Sequence, residues 1–89
     1  MIKVERKKGE DFEVTVSEQD SSTVHTVTLD DDYYKALTGA KVAKEDFIEK
    51  CFDFLLEREG KESILSSFNV RVINKYFPEF EQQIKGKID

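Results

Sequence analysis

"TVHTVTLDDDYYKALTG", Thr23 to Gly39, carries the change of period on which the fold turns. Its first seven residues are rich in β-branched side chains, which suit a pleated, half-buried surface. His25, Val27 and Leu29 share one parity, so they border the apolar face of a strand. From Asp30 onward the signals are helical. Asp30 stands in the N-cap place, Asp31 and Asp32 lie in the first turn, and Gly39 follows the last turn. Leu29 at N′ and Tyr34 at N4 are placed for a hydrophobic staple, which would fix the angle between strand and helix.

Upstream, the strand period continues. Ile2 and Val4 alternate with Lys3, Glu5 and Lys7, and Phe12, Val14 and Val16 alternate with Glu13, Thr15 and Ser17. Gly9 and the "EQDSS" stretch supply turns. Three strands in sequence with short connections predict an antiparallel β-meander with one apolar face.

Downstream, "AKEDFIEKCFDFLLEREG" predicts a central helix over about Lys44 to Glu59. Phe47, Cys51, Phe54, Leu55 and Arg58 lie on one stripe, which Ile48, Phe52 and Leu56 widen. Gly60 reads as its C′ residue. Ile64, Leu65 and Phe68 then form a short helical face. Asn69 caps a second helix holding Val70, Ile73 and Phe77, with Val72 and Tyr76 beside them. Pro78 pushes Phe77 out of helical dihedrals and opens a last helix with Phe80 and Ile84 on one face. The expected architecture is one α+β domain over 1–89: a three-stranded antiparallel β-meander (1–29) followed by four or five helices packed on the sheet (30–85).

Chains of this length bury only about 60 to 65 percent of their unfolded surface, so bulky aromatics matter. Seven Phe and three Tyr supply that bulk, each buried Phe contributing roughly 1.5 to 3 kcal/mol. The net charge of −5 opposes general phosphate binding. Lys3, Arg6, Lys7 and Lys8 cluster, but they read as a solvated hairpin face. Cys51 is the single cysteine, which precludes an internal disulfide. There is no run of the ~18 apolar residues that a membrane span needs and no charged leader followed by an apolar stretch. The chain reads as cytoplasmic.

Three stretches, "DYYKALTG", "FIEKCFDFLLEREGKESIL" and "SFNVRVINKYFPEFE", resemble a family of small uncharacterised bacterial proteins. Its members share a stretch close to "FxFLLEREPKESILxxFDLxxIxxYFPEYE", and the resemblance covers roughly residues 24 to 81. Gly60 stands where the family has proline, and Asn69 where it has aspartate. Both changes keep the local role of helix end and N-cap. The resemblance implies an intact bacterial domain and brings no activity, substrate or cofactor with it.

The residues that could carry chemistry have plainer readings. Three adjacent carboxylates, Asp30 to Asp32, point about 100° apart on a helix and do not converge on a metal ion. His25 has no Ser, Cys or Asp at motif spacing and reads as structural. Cys51 sits mid-helix among apolar side chains and reads as a small hydrophobe. The run from Glu57 to Glu62 reads as solvated charge at a helix junction. No phosphate loop, nucleophile elbow or zinc pattern appears. The expectation is therefore a non-enzyme without cofactor or metal.

What remains is "YFPEF". Phe77 continues the Val70 and Ile73 stripe and reads as core. Tyr76 and Phe80, near the terminus and flanked by charge, are open to either core or surface. Aromatic residues are favoured at interface centres, so Tyr76, Phe77 and Phe80 are the candidate partner contacts. The expected role is a protein-binding or self-associating module, with a protein partner or a homo-oligomer and no membrane. The alternatives are a regulatory domain that binds nucleic acid through the basic hairpin, and a small-molecule sensor.

Overall fold

Alternation of apolar and polar residues builds β1 (Ile2–Arg6), β2 (Asp11–Glu18) and β3 (Ser21–Thr28) into an antiparallel meander. In this computed structural model, which describes residues 1–88, Val4 lies opposite Val14 and Val14 opposite His25. Phe12 lies opposite Val27, so one face of the sheet carries the apolar row. Gly9, at φ 61°, takes the left-handed turn conformation that a side chain resists. The opposite face shows Lys3, Glu5, Thr26 and the half-exposed Val24 to solvent. The helices cover one face and leave the other open.

The sheet has a fourth strand that the sequence pattern did not give. β4 (Ser67–Asn69) pairs in parallel with β3, placing Phe68 beside Val27. The sheet is thus mixed, in the order β1-β2-β3-β4. The expected short helix through Ile64, Leu65 and Phe68 is replaced by a 3₁₀ turn, Lys61–Ser63, and this strand. The reason is tertiary: β3 offers an unpaired edge, and Thr26 N donates to the Ser66 carbonyl at 2.8 Å. A parallel pair needs a long crossover, which α1 (Asp31–Thr38) and α2 (Lys44–Leu56) supply.

α1 begins and ends as its sequence dictates. The Asp30 carboxylate accepts from Tyr33 N at 2.8 Å, and Gly39 closes the helix at φ 62°. α2 buries Phe47, Ile48, Cys51, Phe52, Phe54 and Leu55, more than one side of its circumference. It ends at Leu56, short of the expected Glu59. Gly60 has an ordinary extended conformation, φ −74°, so it is not a left-handed helix terminator. The chain leaves the helix through Glu57 in right-handed geometry instead.

After β4, Asn69 caps a 3₁₀ turn (Val70–Val72) by accepting from Arg71 N at 2.9 Å. α3 (Ile73–Tyr76) follows directly. Phe77 leaves helical dihedrals before Pro78, at φ −131° and ψ 89°, and α4 (Phe80–Ile88) completes the described chain. The described residues therefore hold four α-helices and two 3₁₀ turns.

Candidate functional site

Phe80 is fully buried. Its ring meets Phe54 edge-on with centroids 5.1 Å apart, and Ile84, one turn later, is buried with it. It belongs to the core between α2 and α4 and offers a partner no surface, which corrects its place among the candidate contacts. The seam around it is sealed by polar groups. Arg58 lies 3.6 Å above the Phe54 ring and donates to Glu79 at 3.1 Å and Gln83 at 2.9 Å. The Tyr33 hydroxyl donates to Glu81 at 2.9 Å. Arg71 stacks on Tyr33 and makes two hydrogen bonds to Asp30, at 2.7 and 2.9 Å.

Tyr76 and Phe77 stand elsewhere. Tyr76 is 66% exposed, and Phe77 is half-buried with its ring edge-on to Phe54 at 5.9 Å. Both line a groove of about 230 Å³ between the end of α2, the segment entering β4, and α3. Leu55, Ile64 and Ile73 are its buried floor. Leu65 and Phe68 form one wall, Val72, Tyr76 and Phe77 the other, and Glu59 and Ser63 complete the rim. Leu65 is 49% exposed.

His25 secures one wall. Its Nδ1 lies 2.8 Å from the Leu65 carbonyl, which can only accept, so Nδ1 carries the proton. Nε2 is 2.8 Å from the Thr23 hydroxyl, and the ring packs against Phe52 at 5.4 Å. Phe52 in turn meets Phe68 at 6.0 Å, so a chain of packed rings runs from β3 to the groove.

The other candidates for chemistry are engaged in the fold. Cys51 is buried, and desolvation pushes its thiol well above the ordinary range, away from the reactive thiolate. Asp30 caps α1 and pairs with Arg71, whose hydrogen bond, with that of Tyr33 N, holds the carboxyl below its usual value. Asp31 pairs with Lys44 and Lys35, and Lys44 holds it low. No three His, Cys, Asp or Glu side chains among the described residues gather as a metal site would require. No helix among them is long and apolar enough to cross a membrane.

Of the two charge clusters, the run from Glu57 to Glu62 differs from expectation, while the hairpin cluster is solvent-exposed. Lys61 is buried, bonded to Glu62 at 2.8 Å and paired with Glu18 at 3.5 Å; it is not a solvated charge. The hydrogen bond from Lys61 holds Glu62 low and raises Lys61 itself. On the hairpin, Lys3 pairs with Glu5 and Lys7 with Glu13, while Arg6 leans over Phe12.

The sequence reading missed Leu65, Phe68 and Glu59 as parts of one surface. The available signal was "IL" before two serines: neighbours in extended backbone point to opposite sides, so Ile64 and Leu65 cannot both enter the core. No family model matches the chain, and no curated protein or solved structure matches it either.

Proposed function

We propose that this domain is a non-enzymatic, cytoplasmic protein-binding module whose contact surface is the groove beside Tyr76. One observation carries the reading. Among the described residues the large apolar side chains left exposed are Met1, Val24, Leu65 and Tyr76, and two of the four line the same groove. A small domain with little core to spare gains nothing for its own stability by leaving both in water. Such a patch, continuous with half-buried Phe68 and Phe77, has the anatomy of a binding surface.

The alternatives have less support. The hairpin lysines Lys3 and Lys7 face carboxylates of their own sheet, which lowers their value to a phosphate backbone. The groove, at about 230 Å³, falls below the roughly 300 to 1,000 Å³ of small-molecule sites. The groups best suited to catalysis are occupied: both ring nitrogens of His25 are hydrogen-bonded and Cys51 is buried.

The test is affinity capture from nuclease-treated lysate of the source cells, comparing wild type with a Leu65→Ser/Tyr76→Ser double variant. The expected result is a stoichiometric protein retained by wild type and lost by the variant at unchanged melting temperature. Equal capture by both would sink the groove. Sedimentation velocity over a concentration series separates the self-associating form, in which the variant abolishes a concentration-dependent dimer.

A further inference from the structure

We infer that the segment bound in this groove carries a lysine or arginine close to the apolar side chain it buries, and that Glu59 pairs with that cation; this rests on the groove's being the binding surface. The acids at this end of the molecule are used unequally. Glu57 pairs with Arg58 at 3.3 Å and with Lys87 at 3.4 Å. Glu62 holds Lys61, Glu79 holds Arg58, and Glu81 accepts from Tyr33. Glu59 differs. Among the described residues its carboxylate has no ion pair and no hydrogen bond, and of these five acids it alone lines the groove.

Two nearby cations are committed. Lys61 is buried between Glu62 and Glu18, and Arg58 is folded over Phe54 toward Glu79 and Gln83. Lys75 precedes Tyr76 in the chain but does not line the groove. Among the described residues no cation pairs with Glu59, which leaves its carboxylate open to one brought by a bound segment.

The surroundings make that charge worth supplying. Glu59 is half-buried beside the apolar floor, where an added apolar partner would strip water from its carboxylate. A segment that brought only apolar groups would carry that cost uncompensated. One that brought a cation would gain a pair in a medium less polar than water. Tyr76 adds a second attraction, because its exposed ring can receive a guanidinium or ammonium over its face. The net charge of −5 steers basic segments toward the molecule and acidic ones away.

The probe is a displayed library of short random peptides, selected in parallel against wild type, Glu59→Lys, and Leu65→Ser/Tyr76→Ser. Wild type should enrich peptides with Lys or Arg close to a large apolar residue. Glu59→Lys should keep the apolar residue and replace the base with an acid. The double variant should enrich neither. For one synthetic peptide from the wild-type pool, exchanging its base for glutamate should weaken binding about three- to tenfold. Glu59→Lys should restore it.

The failures are separable. An apolar consensus without a basic bias, or the same basic bias on Glu59→Lys, overturns the role of Glu59 and leaves the groove standing. A pool indifferent to the double variant, or no pool at all, overturns the groove and this inference with it.

Discussion

α2 serves two apolar clusters that use the same residue types to opposite ends. On one side, Phe54 meets Phe80 and Ile84, and the rim of that seam is closed by Arg58, the Tyr33–Glu81 hydrogen bond and the Arg71–Asp30 pair. On the other, Leu55 meets Ile64, Phe68 and Phe77 in a groove whose rim holds exposed Tyr76, exposed Leu65 and Glu59, which has no partner among the described residues. Where charged side chains bridge the elements and lie over the rings, apolar surface is withdrawn from water and contributes to folding. Where the rim is left unbridged, the same kind of surface stays available to another molecule. Aromatic content alone therefore does not distinguish sealed core from open surface. The pairing of the polar rim does.

Phe80 separates the two clusters most directly. Phe80→Ala removes a fully buried ring and should cost about 3 to 5 kcal/mol, read by urea or thermal unfolding. A cost below about 1 kcal/mol, the range of an ordinary surface change, would mean that the seam is no tighter than the groove.

Next in size is His25, which belongs to the interior yet anchors the groove wall at the Leu65 carbonyl. His25→Ala should destabilise by about 2 kcal/mol, from a lost buried partner and the space left behind. Amide exchange sharpens the point. Thr26 N, bonded to the Ser66 carbonyl beside that wall, should lose protection before Tyr33 N, bonded in the α1 cap. Equal loss at both sites would show that the two regions open as one unit.

Asp30 tests the closed rim. Asp30→Ala should cost about 1 kcal/mol through the helix cap, and Asp30→Asn should cost less because it can still accept from Tyr33 N. The charge contribution has a definite sign. The folded carboxyl lies below its usual value, chiefly through the Arg71 hydrogen bond. Its stabilisation is therefore present above the unfolded value of about 3.9 and lost as pH falls through the folded one. The melting-temperature gap between wild type and Asp30→Asn should hold from neutral pH to about 4 and close below it. A gap that widened in acid would remove the ion pair from the account of the seam.

Legibility followed locality. Strand alternation in β1 to β3, the Asp30 cap, the Gly39 terminator and the Asn69 cap are set by residues within a few positions of each other, and all stand where the sequence places them. β4 was not legible, because three residues show no period and its existence depends on the open edge of β3, far upstream along the chain. Gly60 misled because a glycine near a helix end usually serves as the left-handed stop, whereas here the chain had already turned at Glu57. Tyr76 and Phe80 have similar sequence surroundings. Their difference was foreshadowed only by Phe80 sharing a helical face with Ile84, while the groove needed the unseen strand to supply its second wall.

The smallest expected effect on stability is the most informative about function. Tyr76→Ser changes a side chain that is two-thirds exposed, so folding stability should move by no more than about 0.5 kcal/mol. Glu59→Gln should be similarly silent, since among the described residues no partner is lost with the charge. Groups that cost nothing to change and yet decide what is captured belong to a binding surface, whereas Phe80 and Asp30 have to be paid for in stability. If Tyr76→Ser instead lowered stability by as much as Phe80→Ala, the exposed ring would be an integral part of the fold. The distinction between a sealed seam and an open groove would then fail at its most exposed residue.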